Sequence, residues 1–250
     1  MKVFVHGNPE TSAIWRPLVT ELIDRGVNDV VLLSPPGFGA TTPPAWPATQ
    51  DAYADWLIDE VQRLDGPVDI VGHDWGAGHV YGALARRPEL FASWAADCGG
   101  LLHRDYAWHD AAQAWQTSGV GEEAVGLLTK MEKSDLVAVL QSLGMSEQIA
   151  GEVAAHVDDE MGRCILALYR SAAQPAMRDL GARLATKQLP RGAVIVPTAD
   201  TYPGTPTMAA DVARTLGATT IELTERGHWW MIEDPGTAAD RLVGFWNSDT

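Results

Sequence analysis

The chain has 250 residues, 46% of them apolar and 20% charged, which fits one large soluble domain or one domain carrying an insertion. Its formal net charge of −15, without any cluster of Lys and Arg, argues against nucleic acid and anionic membranes as partners. Cys98 and Cys164 stand far apart with no metal-ligand spacing; both are expected as free buried thiols, and neither a metal nor a cofactor is expected.

In chain order, residues 3–5 begin a strand almost at once, so no secretion signal is expected. No apolar run approaches the ~20 residues of a membrane span, so a cytoplasmic location is expected. A loop at residues 6–10 leads to a helix over 14–25. A strand over 30–33 is followed by the Pro- and Gly-rich loop 34–47 and a helix over 50–64. The strand 68–71 runs into Gly72-His73-Asp74-Trp75-Gly76, and the next helix, 77–87, stops at Pro88. Residues 94–96 read as a strand ending at Asp97. From about Gly99 to Arg191 the strand signal disappears, and helices are predicted over 110–116, 122–133, 148–156 and 160–172. Two late units follow, a strand at 194–196 with a helix near 207–216 and a strand at 220–223 with a closing helix near 237–246. Alternating strands and helices predict an α/β fold, a mostly parallel sheet of about six strands flanked by helices. Residues 1–98 and 192–250 form the expected core, and 99–191 an inserted helical cap over the carboxyl ends of the strands.

Asp74, Asp200 and His228 each follow a predicted strand, in that order. Glycines at 72, 76 and 78 suit a sharp strand-to-helix turn that crowds its central residue against neighbouring chain. On these residues the chain resembles the α/β-hydrolases, whose partners run nucleophile, acid, histidine. The likeness covers the chain except for that family's first two strands. It implies a catalytic group of Asp74, Asp200 and His228. Asp97 also ends a strand, and some dehalogenase relatives carry their acid there; Asp200 is the preferred assignment.

Aspartate in place of serine at the turn changes the chemistry. A carboxylate attacking an acyl carbon gives an anhydride that readily reverts, whereas attack on a saturated carbon gives an ordinary alkyl ester. A carboxylate of pKa near 4 needs no base for that step. Histidine serves the second step, taking a proton from the water that attacks the ester carbonyl. The expected substrate is therefore a small apolar electrophile, hydrolysed with water at a saturated carbon.

The leaving group divides the family resemblance. His6-Gly7-Asn8-Pro9 with His73-Asp74-Trp75-Gly76 is similar to haloalkane dehalogenases, in which that Asn and Trp hold the halide. By the same resemblance, the backbone N–H groups of Asn8 and Trp75 would stabilise the oxyanion. Halide displacement is the leading expectation. The alternative is an epoxide hydrolase: Leu168-Tyr169-Arg170 is similar to that group's Tyr-Arg pair, with Tyr169 as the ring-opening acid. The early lid tyrosine of those enzymes has Ala111 at its aligned place, with Tyr106 and His109 nearby. A third reading is a ligand-binding homologue that lost turnover. Of the chain's ten tryptophans, Trp108 and Trp229 are expected to wall the substrate pocket.

Overall fold

Short, mostly apolar runs, several of them β-branched, form six strands: β1 (Lys2–Val5), β2 (Val30–Leu33), β3 (Val68–Gly72), β4 (Phe91–Ala96), β5 (Arg191–Pro197) and β6 (Thr219–Leu223). This computed structural model describes residues 1–248, so the last two positions of the expected core segment 192–250 lie outside the described residues. All pairings are parallel, in the order β2-β1-β3-β4-β5-β6. The six-stranded α/β architecture expected from the sequence is thus present. The central strands are covered on both faces, which is why Val3, Phe4, Val5, Ile70, Val71, Trp94 and Ile195 are all buried. Each such side chain contributes roughly 1.5–3 kcal/mol on leaving water.

From β1 the chain steps outward to β2, then returns past β1 to β3 and continues the other way. Such a reversal opens a crevice beyond the carboxyl ends of the strands. Register brings the reactive loops together there. Val5 pairs with Gly72 and Gly72 with Ala96, so the residues after β1, β3 and β4 emerge side by side.

Between β4 and β5 the chain forms six α-helices: Asp110–Gln116, Val120–Thr129, Lys133–Ser142, Glu147–His156, Asp159–Ser171 and Ala176–Leu184. Lys133–Ser142 and Ala176–Leu184 have no counterpart among the predicted elements, and the helix predicted over 122–133 ends at Thr129. Neither unpredicted helix has a side-chain N-cap, and one starts directly after Pro175. Their stability comes from tertiary burial of Leu136 and Leu140, and of Met177, Leu180 and Leu184, which weak local signals do not announce. The helix Trp230–Glu233 likewise falls outside the predicted elements. Cys98 and Cys164 are unpaired and buried. Among the described residues no helix is long and apolar enough to cross a membrane.

Candidate active site

Asp74 stands between β3 and the helix Trp75–Arg86 with φ 50° and ψ −123°, a conformation that costs a non-glycine residue roughly 1–3 kcal/mol. Its surroundings hold it there. The Asp74 N–H donates to Asp97 Oδ1 at 2.9 Å. A side chain at Gly76 would put its Cβ 2.1 Å from the Val5 carbonyl oxygen, so only glycine lets the turn press against the end of β1. At Gly7 a Cβ would fall 2.1 Å from Asp74 Oδ2 and 2.6 Å from the Trp75 nitrogen. The loop after β1 therefore lies directly on the turn, and the Asn8 N–H donates to Asp74 Oδ2 at 3.0 Å.

His228 follows β6. Its Nδ1 lies 2.8 Å from Asp200 Oδ2, and its Nε2 lies 3.9 Å from Asp74 Oδ1. The second Asp200 oxygen accepts the Tyr202 N–H at 3.0 Å. Asp97 is engaged elsewhere: its Oδ2 accepts from His73 Nδ1 at 2.5 Å and from the Trp230 indole at 2.8 Å. Of the two carboxylates weighed in the sequence, Asp200 is the one hydrogen-bonded to His228.

Behind the turn lies a buried charged network that the sequence pattern did not disclose. His73 Nε2 donates to Glu10 Oε1 at 3.1 Å; the same oxygen accepts the Trp229 indole N–H at 2.5 Å, and Glu10 Oε2 accepts the Gly7 N–H at 3.0 Å. Burial opposes a charge on His73, but Asp97 and Glu10 on either side outweigh it and hold the imidazole well above its ordinary pKa. Burial would raise Glu10, yet His73 brings it down to about 2, and Asp97 is lowered by the same partner. Glu10, His73 and His228 have ligand-type atoms within 4.8 Å of one another, a grouping these hydrogen bonds and the Asp200–His228 bond account for. His73 directly follows Gly72, and Glu10 lies three residues after Gly7, which is the one sequence cue that they pack inward.

Asp74 is less acidic than an ordinary carboxylate. Burial pushes the Asp74 pKa up to about 6, with His228 pulling it down and Glu10 adding to the rise. His228 is raised: burial works against its charge, and the hydrogen bond to Asp200 prevails.

A cavity of about 200 Å³ separates these loops from the inserted helices. Asn8, Asp74, His228 and Trp229 line it from the strand ends, and Tyr169, Trp115 and His109 from the insertion. Trp229 thus stands where expected. Trp108 does not: it stacks on Trp75 at 5.9 Å and packs edge-on to Tyr106 at 5.2 Å, behind the lining. Trp75 is itself 1% exposed, with the Tyr169 ring edge-on at 5.2 Å. On the helix Asp159–Ser171, Met161, Ile165 and Leu168 are buried with Tyr169, while Arg170 pairs outward with Glu122 at 2.9 Å. Burial, then the charge of Asp74, raises the Tyr169 pKa well above its ordinary value; N–H groups of Trp75 and Asn8 near its oxygen act in the opposite sense. Both polar atoms of the Asn8 side chain are buried without a well-formed hydrogen bond.

His109 and Tyr202 also line the cavity. His109 caps its helix, Nδ1 accepting the Ala112 N–H at 3.3 Å, so the neutral ring carries its hydrogen on Nε2. Burial, and then the charge of His228, lowers the His109 pKa.

A sequence profile described as the alpha/beta hydrolase family matches residues 3–241, and the chain belongs to that family. It is 30% identical over 110 residues, 44% of its length, to an (E)-2-((N-methylformamido)methylene)succinate hydrolase of Acinetobacter baylyi. It is 31% identical over 97 residues, 36% of its length, to an epoxide hydrolase of Caballeronia sordidicola. The matches span 41% and 28% of those two proteins. A crystal structure of a haloalkane dehalogenase of Bradyrhizobium elkani superposes with a TM-score of 0.71 at 25% identity, covering 98% of this chain and 88% of the other.

Proposed function

We propose that the protein is a hydrolase that opens epoxides through an alkyl ester on Asp74, with Tyr169 as the proton donor. This reverses the order expected from the sequence, where halide displacement led. The observation that carries it is the setting of Tyr169. Its side chain lines the same cavity as Asp74, under the influence of the Asp74 charge, and its oxygen lies near the Asn8 and Trp75 donors assigned to a halide. A hydroxyl there serves an oxygen leaving group, which needs a proton, better than a halide, which does not.

The steps follow from the contacts. The Asn8 N–H holds Asp74 Oδ2, leaving Oδ1 free to attack the ring carbon. The carbon–oxygen bond breaks, and Tyr169 protonates the departing oxygen, giving a hydroxyalkyl ester. His228, oriented by Asp200, then takes a proton from water; the oxygen adds to the Asp74 carbonyl carbon, and the oxyanion develops on Oδ2 beside the Asn8 N–H. Collapse of this intermediate releases the diol and the carboxylate, and the proton on His228 restores Tyr169 through solvent. The separation of 3.9 Å between His228 Nε2 and Asp74 Oδ1 is too long for a direct hydrogen bond, which leaves Nε2 free to take a proton from water. In this scheme the inserted helices form the lid that carries the acid.

Halide displacement is the second reading, favoured by the unpartnered Asn8 amide beside the nucleophile. Incubation with matched terminal epoxides and 1-bromoalkanes separates the two. Diol formation without bromide release supports the proposal, and bromide release without diol formation overturns it in favour of the halide reading.

A further inference from the structure

We infer that the substrate of this site carries an extended aliphatic chain, which leaves the cavity along one face of the helix Lys133–Ser142. The inference rests on the cavity being the substrate site. Leu136, Val139, Leu140 and Leu143 recur at the spacing of a single helical face, and all four line the cavity that holds Asp74. Leu136 and Leu140 are 1% and 3% exposed, whereas Val139 and Leu143 are 43% and 46% exposed. The stripe therefore starts in the enclosed part of the cavity and ends in the open. Among the described residues the lining includes no Lys, Arg or Glu, so a carboxylate, phosphate or ammonium on the substrate would find no ion-pair partner there beyond Asp74 and the histidines. At about 200 Å³ the enclosed space is smaller than the roughly 300–1,000 Å³ that drug-sized ligands fill. A longer substrate must reach outward, and the apolar continuation available to it is this stripe.

Unreactive primary alkanols from butanol to decanol test the inference without any chemical step, with binding followed by the emission of Trp115 and Trp229 on the cavity wall. Dissociation constants are expected to tighten by up to about fourfold per added methylene, the factor that burying one methylene (~0.8 kcal/mol) converts to. Leu143→Glu and Val139→Asp should abolish that gain for the longer members. Leu127→Glu, at a residue 75% exposed and outside the lining, should preserve it. Binding that does not depend on chain length, or an unchanged slope in Leu143→Glu, overturns the inference. So does a dimer in sedimentation that Leu143→Glu dissociates, which would assign the stripe to a second copy of the chain. Steep alkanol binding without epoxide turnover would remove the catalytic proposal and leave this one standing. Epoxide turnover indifferent to chain length would do the reverse.

Discussion

The two sides of the cavity are built on opposite terms. On the strand-end side, Glu10, His73, Asp97, Asp200 and His228 are each hydrogen-bonded to a neighbour, and the bonds connect the loops after β1, β3 and β4 to Trp229 and Trp230 beyond β6. The facing insertion offers aliphatic and aromatic surface, with Tyr169 and His109 as its titratable groups. Charges buried at close range need fixed partners, which the ends of a rigid sheet supply; packed helices can vary their side chains at lower cost. In the proposed scheme the sheet holds the reacting groups, and the insertion selects what reaches them.

Breaking the strand-end side should produce the largest effects. Asp74→Ala removes the proposed attacking group and is expected to lower turnover by about 10⁵-fold or more, measured as product formed per enzyme. Asp200→Asn is expected to leave the fold intact but loses the ionic partner of His228. Turnover should fall by about 10³- to 10⁴-fold, with the covalent intermediate accumulating in quenched samples. Asp97→Ala acts differently. It leaves His73 with one anionic neighbour and deprives the Asp74 N–H and the Trp230 indole of an acceptor. It should cost about 3–5 kcal/mol in denaturant unfolding, a loss Asp200→Asn does not share. Equal destabilisation by the two variants would erase the distinction between catalytic and structural carboxylates.

On the insertion side, Tyr169→Phe should reduce epoxide opening by about 10²-fold with little change in KM, read by single-turnover kinetics. It should leave any bromoalkane reaction unchanged, since a departing halide needs no proton.

The smallest effects lie in pH dependence, and they again separate the two sides. Asp74 must be ionised to attack, so the alkylation burst should fall tenfold per unit below about pH 6. Steady-state turnover also needs neutral His228, whose pKa is raised above 6.5, so its acid limb should lie at higher pH than that of the burst. Tyr169, held well above 10, stays protonated and should add no alkaline limb below that pH. Stability follows the network. Glu10 is depressed to about 2, so its contribution is present above its unfolded value near 4.5 and lost as the pH falls toward 2. His73 is raised, so its contribution is present below 6.5 and lost as the pH rises through its elevated folded value.

The same contrast explains what could be read from the chain alone. Most of the strands are short apolar runs, several of them β-branched, so the sheet was legible, as was the fact that Asp74, Asp200 and His228 each follow a strand. Asp200 was already preferred over Asp97 from the chain alone, but both follow strands, and it is the hydrogen bond to His228 that separates them in space. Glu10 and His73 stayed hidden since charged residues ordinarily lie at the surface, and their burial follows from mutual pairing that spacing does not encode. In the insertion, the helix Lys133–Ser142 has β-branched Val137 and Val139 and no capping side chain, so its local signal is weak. Trp108 illustrates the limit of proximity in sequence: one position from His109, which lines the cavity, it turns behind the wall to stack on Trp75.

The most direct measurement is the mass of the peptide containing Asp74 after a His228→Phe variant has been incubated with an aliphatic epoxide and digested. A gain equal to the whole epoxide, carried on Asp74 and absent from an Asp74→Ala, His228→Phe double variant, is the predicted result. Diol formation at the unmodified rate with no adduct on that peptide would contradict a covalent route through Asp74.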